Sequence, residues 1–369
     1  MHLRIKIWLF LAMLKLSLIG QLFSLDSIAK YDFVRYDLNR LSVKDTTTLA
    51  AFFEKVWMFE SQDSGKARIM HIGDSHIQAG YFTEKVRECI HKGLGCGTRE
   101  RGFVFPFGMA HTNGPSNYAA QYTGDWKGLK SSSSNTQSEW GLSGISAVTR
   151  DDSSTLKIYS NNHTFDSYQF NKVRLYFKDE LGVFKISLKA DQAVSSLISN
   201  DVEGSFKTFE ISELTDTIYF TFKKDSAHPN ASLLIQGIEL LNDEPGITYS
   251  EVGVNGAEIK SFLRCNDFIP QLAMVNPDLI IISLGANDAY RLNFNDSVFY
   301  HHYDSLINIV RAALPNSNII LTTTGDGKRY RKTPLIENVL IRKCILNLAK
   351  KQKSFIPITV KSNIDRQTV

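Results

Sequence analysis

The chain has 369 residues, 43% hydrophobic and 22% charged, which exceeds a single average domain and is long enough to bury a large core. Its formal charge falls from +4 to +1 once the three basic residues of the leader, Arg4, Lys6 and Lys15, are set aside, and this excludes the strongly basic field that nucleic-acid binding uses. The four cysteines, Cys89, Cys96, Cys265 and Cys344, show no paired metal-ligand spacing, so no metal site is expected. Cys89 and Cys96 are close enough for an oxidising compartment to link them, but Cys89 falls on a predicted helix and the four are read as unlinked.

In chain order, the start Met1 to Lys6 is basic, and Ile7 to Leu14 and Leu16 to Phe23 are apolar, the pattern of a secretory signal peptide. Lys15 interrupts a stretch that would otherwise approach the roughly twenty apolar residues of a spanning helix. Residues 1–24 are therefore read as a leader cleaved near Ser24, leaving a secreted or periplasmic chain with no stable membrane span. A polar lead-in with one helix, Thr46 to Glu60, comes next. Ala67 to Ile72 has the branched-apolar composition of a buried parallel strand, and Ile77 to Leu94 reads as a helix.

From Arg101 the pattern changes. Arg101 to Asn117 is rich in Gly, Phe and Pro, and Ser131 to Asn135 reads as a low-complexity linker. Six alternating stretches are then predicted as antiparallel strands: Thr155 to Tyr159, Val173 to Lys178, Phe184 to Leu188, Phe206 to Ile211, Thr217 to Phe222 and Ser232 to Leu241. Together they suggest a sandwich or jelly-roll insert, whose aromatics Tyr159, Tyr176, Phe184 and Tyr219 are expected in its core. The parallel pattern resumes at Ile247, with helix Ser261 to Met274, strand Leu279 to Leu284, helix Val298 to Leu314, strand Asn318 to Thr323 and helix Leu335 to Lys353. The fold class is thus α/β, a doubly wound, flavodoxin-like parallel sheet in two parts, 25–100 and 246–369, interrupted by a β-rich insert at 101–245.

Two strand exits carry the chemistry. Ile72-Gly73-Asp74-Ser75-His76 follows the first apolar run, and Gly285-Ala286-Asn287-Asp288 follows Leu279 to Leu284. Both lie at strand C-termini, the edge of an open sheet where ligands bind, so Ser75 and Asn287 are expected to face one crevice. These residues resemble the SGNH or GDSL hydrolases. Gly73-Asp74-Ser75-His76 matches the serine block of that superfamily, in the GDSH form associated with cell-wall and polysaccharide O-acetylesterases. Gly253-Val254-Asn255-Gly256-Ala257 resembles its glycine block, and Gly285-Ala286-Asn287-Asp288 its GxND block. The resemblance implies Ser75 as nucleophile, with Gly256, Asn287 and the Ser75 amide as oxyanion donors, and an interrupting carbohydrate-binding-like β domain. Asp74 is expected to brace the turn, and His76, which starts a helix next to the serine, to serve structure or substrate contact. No cofactor is implied.

The fourth block, an Asp-x-x-His supplying the base and its orienting acid, is not found after Asn287. Phe355 to Val360 reads as the start of a final strand, and the chain is expected to be C-terminally incomplete relative to a working enzyme, with weak or absent activity and lowered stability. Asp225-Ser226-Ala227-His228 has the spacing but lies in the insert. His301 and His302 open a helix and read as a solvated face, whereas the basic run Lys328 to Lys332 lies at the edge of Ser75 and is able to steer an anionic polymer. The reading favoured is an extracytoplasmic serine esterase removing O-acetyl groups from a cell-wall glycan or other polysaccharide. A catalytically disabled glycan-binding protein on the same fold is the alternative, and a lipid acylhydrolase with a longer apolar crevice is a third.

Overall fold

A computed structural model describes residues 40–41, 49–62, 64–93, 98–161, 168–190, 193–200, 205–325, 327–330, 332–351 and 355–359. The expected leader and the tail beyond Thr359 lie outside these residues, as does Cys96 and with it any Cys89–Cys96 link.

The described chain opens with β1 (Arg40–Leu41) and α1 (Ala50–Gln62), then β2 (Lys66–Gly73), α2 (Ser75–Gln78) and α3 (Tyr81–Glu88). A run of antiparallel strands follows: β3 (Gly102–Val104), β4 (Tyr118–Thr123), β5 (Lys127–Lys130), β6 (Ile145–Thr149), β7 (Ser153–Ser160) and β8 (Phe170–Lys178). It continues through β9 (Phe184–Ala190), β10 (Ser195–Asn200), β11 (Phe206–Thr215), β12 (Thr217–Lys224) and β13 (Leu233–Leu241). The α/β pattern then resumes with β14 (Gly246–Gly253), α4 (Ile259–Leu263), α5 (Phe268–Val275), β15 (Leu279–Ser283), α6 (Ala286–Tyr290) and α7 (Asp296–Ala313). Last come β16 (Asn318–Thr322), the small hairpin of β17 (Lys328–Arg329) and β18 (Thr333–Pro334), α8 (Glu337–Lys351) and β19 (Phe355–Thr359).

The parallel strands lie in the order β14-β2-β15-β16-β19, with β1 antiparallel on the outer edge of β19. Numbered by appearance this is the 2-1-3-4-5 order of a flavodoxin-like doubly wound sheet. Strand β2, between β14 and β15, is buried on both faces from Ile69 to Gly73, as strands of a parallel sheet covered on both sides are. On one face Ala67, Ile69, Ile247 and Ile320 pack under Leu49 and Phe52. On the other, Met70, Ile72, Val252, Ile280 and Leu321 join Phe262, Phe299, Tyr303 and Ile341 from the helices, and the same apolar cluster continues into the insert through Phe103, Leu142, Phe220 and Phe222. Each fully buried side chain of this kind contributes roughly 1.5–3 kcal/mol.

The insert is a sandwich of two antiparallel sheets, one in the order β10-β11-β8-β13-β6-β5 with β3 beside β13, the other β4-β7-β12-β9. All six predicted strands are present. Five others, β3 to β6 and β10, escaped the sequence reading because they are short or carry Gly and Ser in place of clean alternation. Tyr176 and Phe184 are buried as expected, but Tyr159 and Tyr219 are only half-buried and face outward from the second sheet. The Ser131 to Asn135 run is no linker: Arg264 Nη1 donates to the carbonyls of Ser131 at 2.7 Å and Ser133 at 2.9 Å. The predicted Ile77 to Leu94 helix breaks at Gly80, where φ is +80° and a Cβ would stand 2.4 Å from Pro115 Cβ.

What clamps the insert to the sheet is a buried carboxylate. Glu251 on β14 takes Arg101, at the start of the insert, on Oε1 at 2.6 Å, and Arg87 of α3 on Oε2. Arg87 Nε also donates to the Tyr249 carbonyl at 2.9 Å, and Arg101 Nε to Asn117 Oδ1 at 3.2 Å. Arg101 lies over the Tyr118 ring at 5.1 Å. Burial by itself would raise the Glu251 carboxyl, but Arg87 and Arg101 hold it below the usual glutamate value.

Substituting Glu251→Gln keeps the shape and removes the charge, leaving the buried Arg101 guanidinium without its carboxylate and Arg87 with only Glu84 at 3.5 Å, and breaking a buried pair in this way typically costs about 3–5 kcal/mol. The urea midpoint is expected to fall sharply. Because the folded carboxyl titrates below its unfolded value, its contribution is present above the unfolded value and is lost as pH falls through the folded one. The variant should therefore lose less stability on acidification than the native chain. An unchanged midpoint would show that the clamp does not hold the two parts together.

Candidate active site

The crevice is set by a shared rung. Gly73 pairs with Gly253 on one side and with Ser283 on the other, so β14, β2 and β15 run level at their C-terminal ends, and the loops that follow emerge side by side. Gly73 is required there because a Cβ would come 2.3 Å from Ile77 Cγ1. Two residues on, Ser75 begins α2 and is half-buried. Asp74 caps that helix, its Oδ1 accepting the His76 amide at 3.0 Å, a standard way to satisfy a first-turn donor. His76 Nδ1 also sits 3.0 Å from Asp74 Oδ1, on a side chain 81% exposed. The ring thus engages the cap residue, and among the described residues no side chain hydrogen-bonds the Ser75 hydroxyl.

The glycine block folds over the same end. Gly253 allows close passage, since a Cβ there would stand 2.2 Å from the Gln78 amide nitrogen. Gly256 adopts φ +76°, and a Cβ on it would meet nothing nearer than Ser132 Oγ at 4.0 Å. This loop is pinned by Gln78, whose Oε1 accepts the Asn255 amide at 2.6 Å. Gln78 Nε2 donates to the Asn113 carbonyl at 2.6 Å, and Asn255 Nδ2 donates to Asn113 Oδ1 at 2.7 Å and Thr112 Oγ1 at 3.0 Å. Ser132 Oγ donates to the Asn255 carbonyl at 2.8 Å. The insert therefore frames the crevice with two loops. Gln78 and Asn255 were not singled out from sequence, although Gln78 lies one helical turn after Ser75 and Asn255 is inside the glycine block.

Asn287 enters from the third strand. Its Nδ2 donates to the Ala257 carbonyl at 2.9 Å and lies 3.5 Å from Asp74 Oδ2. One amide hydrogen is thus committed, and the other makes only a long contact toward the serine block. Asp288 next to it is buried, and its two oxygens lie 3.4 and 3.3 Å from the Ile259 amide at the start of α4. Burial first, then Glu258, pushes its carboxyl up to about 7. Beneath the crevice floor, His71 bridges Tyr249 OH at 2.6 Å and Ser283 Oγ at 2.6 Å, and Thr322 Oγ1 reaches Ser283 Oγ at 2.8 Å. Burial lowers the His71 imidazole to about 3, so it is neutral and links four strands without charge.

The structure brings the serine, glycine and asparagine blocks to one edge and leaves other sequence candidates elsewhere. His228 lies 3.9 Å from Asp225 in the loop between β12 and β13, beside Glu180 and Leu181 of the insert. His301 and His302 sit on α7. Of the basic run, Arg329 is spent on the Glu337 carboxylate at 3.0 Å and the Ala289 carbonyl at 3.2 Å, and Lys328 and Lys332 remain exposed. Any base beyond Thr359 falls outside the described residues.

Residues 222–344, which contain the glycine and asparagine blocks but not Ser75, match the GDSL-like Lipase/Acylhydrolase family. No curated protein matches the chain. Among solved structures it is similar to "Peptidoglycan O-acetylesterase in action, 5 min", at 20% identity and a TM-score of 0.68 over 86% of this chain and 85% of that one. Shorter likenesses are to Axe2, an acetylxylan esterase from Geobacillus stearothermophilus, at 19% identity and a TM-score of 0.27 over 34% of this chain and 61% of that one. Another is a putative GDSL-like lipase from Parabacteroides merdae, at 17% identity and a TM-score of 0.26 over 30% and 54%. With the family match, the 2-1-3-4-5 sheet and the three blocks at its edge, the chain has the fold of the SGNH/GDSL hydrolases and resembles in it the peptidoglycan O-acetylesterase.

Proposed function

We propose that the chain is a serine esterase that removes O-acetyl groups from an extracytoplasmic glycan. The observation that carries this reading is the convergence at one sheet edge of a half-buried Ser75 hydroxyl, which no described side chain hydrogen-bonds, with an Asn287 amide whose second hydrogen makes only a long contact of 3.5 Å to Asp74 Oδ2. Ser75 Oγ attacks the acetyl carbonyl carbon, the carbonyl π electrons move to oxygen, and Asn287 Nδ2, the Gly256 amide and the Ser75 amide hold the oxyanion. On collapse the proton lost by Ser75 goes to the departing sugar oxygen, which leaves as a hydroxyl, and the acetyl-serine is then hydrolysed by water to acetate and free Ser75. Asp74 holds both the serine turn and the His76 ring, and His76 stands at the mouth of the crevice where it meets substrate. The leader pattern supports export, and among the described residues no helix is long and apolar enough to cross a membrane.

One observation favours a second reading. Among the described residues no histidine hydrogen-bonds Ser75, and a serine without a base is a weak nucleophile. A chain lacking that base binds glycan without cleaving it. Acetate release from an O-acetylated glycan and hydrolysis of a chromogenic acetate ester separate the two.

If the esterase reading holds, Ser75→Ala abolishes acetate release while the thermal melting curve stays in place. Retention of the native rate in that variant would remove Ser75 from the nucleophile role. Asn287→Ala is expected to lower kcat by about a hundred-fold or more with little change in KM, because the bond to the developing oxyanion strengthens only in the transition state. A change confined to KM would assign Asn287 to substrate binding instead.

A further inference from the structure

The outer face of the β4-β7-β12-β9 sheet is organised in rungs. One rung runs Gln121, Lys157, Tyr219, Lys189 across all four strands. The next runs Thr123, Thr155, Thr221, Ser187, a row made only of hydroxyl side chains. On its other side Lys223 pairs with Lys185. Outward positions along a strand are ~6.8 Å apart and strands ~4.8 Å apart, so the hydroxyl row lies between two pairs of ammonium groups. The four strands contain no Asp or Glu. At the border, Asp151 turns to the Asp125 amide and Asp152 to Lys224, and among the described residues no carboxylate is paired with Lys157, Lys185, Lys189 or Lys223. A depression of about 440 Å³ opens here, lined by Thr155, Lys157, Lys189, Tyr219 and Thr221.

We infer that this face is a binding site, separate from the Ser75 crevice, for a carboxylate-bearing polysaccharide lying across the strands along the hydroxyl row. Its sugar hydroxyls meet the Thr155 and Thr221 side chains, and its carboxylates reach the lysines on either flank through charge-assisted hydrogen bonds. The outward positions of the four strands carry no Leu, Ile, Val, Phe or Met side chain to enter a membrane. The two tyrosines do not present open stacking faces to nucleic-acid bases, because the Lys157 ammonium sits 4.9 Å from the Tyr159 ring centre and 5.3 Å from that of Tyr219. The occupant that fits is both anionic and hydroxyl-rich. Such a face retains an acidic glycan while the crevice works on it.

Binding of the full chain to polygalacturonate, poly-L-glutamate, dextran and duplex DNA tests this without reference to catalysis. Polygalacturonate is expected to bind at least about tenfold more tightly than the other three. Lys157→Ala with Lys189→Ala, and separately Thr155→Val with Thr221→Val, should each weaken it by roughly tenfold or more, the loss of one or two such contacts. The exposed pair Lys343→Ala with Lys350→Ala on α8 removes the same charge and should leave binding unchanged. Melting curves coincident with the native one confirm that each variant is folded. The proposal is overturned if poly-L-glutamate or DNA binds as tightly, if the α8 pair weakens binding equally, if the threonine pair has no effect, or if polygalacturonate does not bind.

Discussion

The structure depends on one buried carboxylate. Glu251 is the meeting point of α3, β14 and the first residues of the insert, because Arg87 and Arg101 both end on it. Two guanidinium groups cannot stay charged in a dry interior unless an anion shares them, and no other described carboxylate contacts both. The pairing therefore dictates where the insert leaves the sheet and how its first strand lies against β14. Phe103, three residues after Glu100, then donates its amide to Ser250 Oγ at 3.0 Å on the same strand. Electrostatics sets the junction, and the apolar cluster that runs through both parts makes the junction rigid.

That rigidity matters to the crevice. Its floor comes from three parallel strands ending on one rung, and part of its wall comes from the insert, where Thr112, Asn113 and Ser132 hydrogen-bond Gln78 and Asn255. Neither part contains the whole site. A loop held by four hydrogen bonds to three different segments has little freedom to move, so in the proposed function the Gly256 backbone is pre-positioned before any ester arrives. Such pre-organisation is what lets an oxyanion donor act, since donors that must first reorient lose most of their advantage.

The same logic separates the two polar systems of the sheet. The His71, Tyr249, Ser283 and Thr322 chain is uncharged and joined end to end, buried at His71 and Tyr249 and half-buried at Ser283 and Thr322; it ties strands together beneath the site. The Asp74, Asn287 and Ala257 contacts above it are longer, at 2.9 and 3.5 Å, and no described side chain hydrogen-bonds the Ser75 hydroxyl beside them. A satisfied network stiffens, and an unsatisfied one at a crevice binds.

Much of this was legible in the residues alone. Apolar runs ending in glycine located β2 and β15, alternation located six strands of the insert, and the serine and asparagine blocks were placed at strand exits, whereas β14, which ends in the glycine block, was not among the predicted strands. Periodicity reports local burial, and turn residues report local backbone, so both survive in one dimension. What sequence could not show was set by contacts between distant segments: Gly80 at the helix break packs so closely on Pro115 that a side chain is barred there, the serine run at 131–135 is fixed by Arg264, and the crevice wall depends on Gln78 reaching Asn255 and Asn113. Tyr159 and Tyr219 share the alternation of the core aromatics, yet the pairing of β7 with β12 and β9 turned them outward among lysines and threonines. Alternation says that successive side chains face opposite ways; only the packing of one sheet on another decides which way is in.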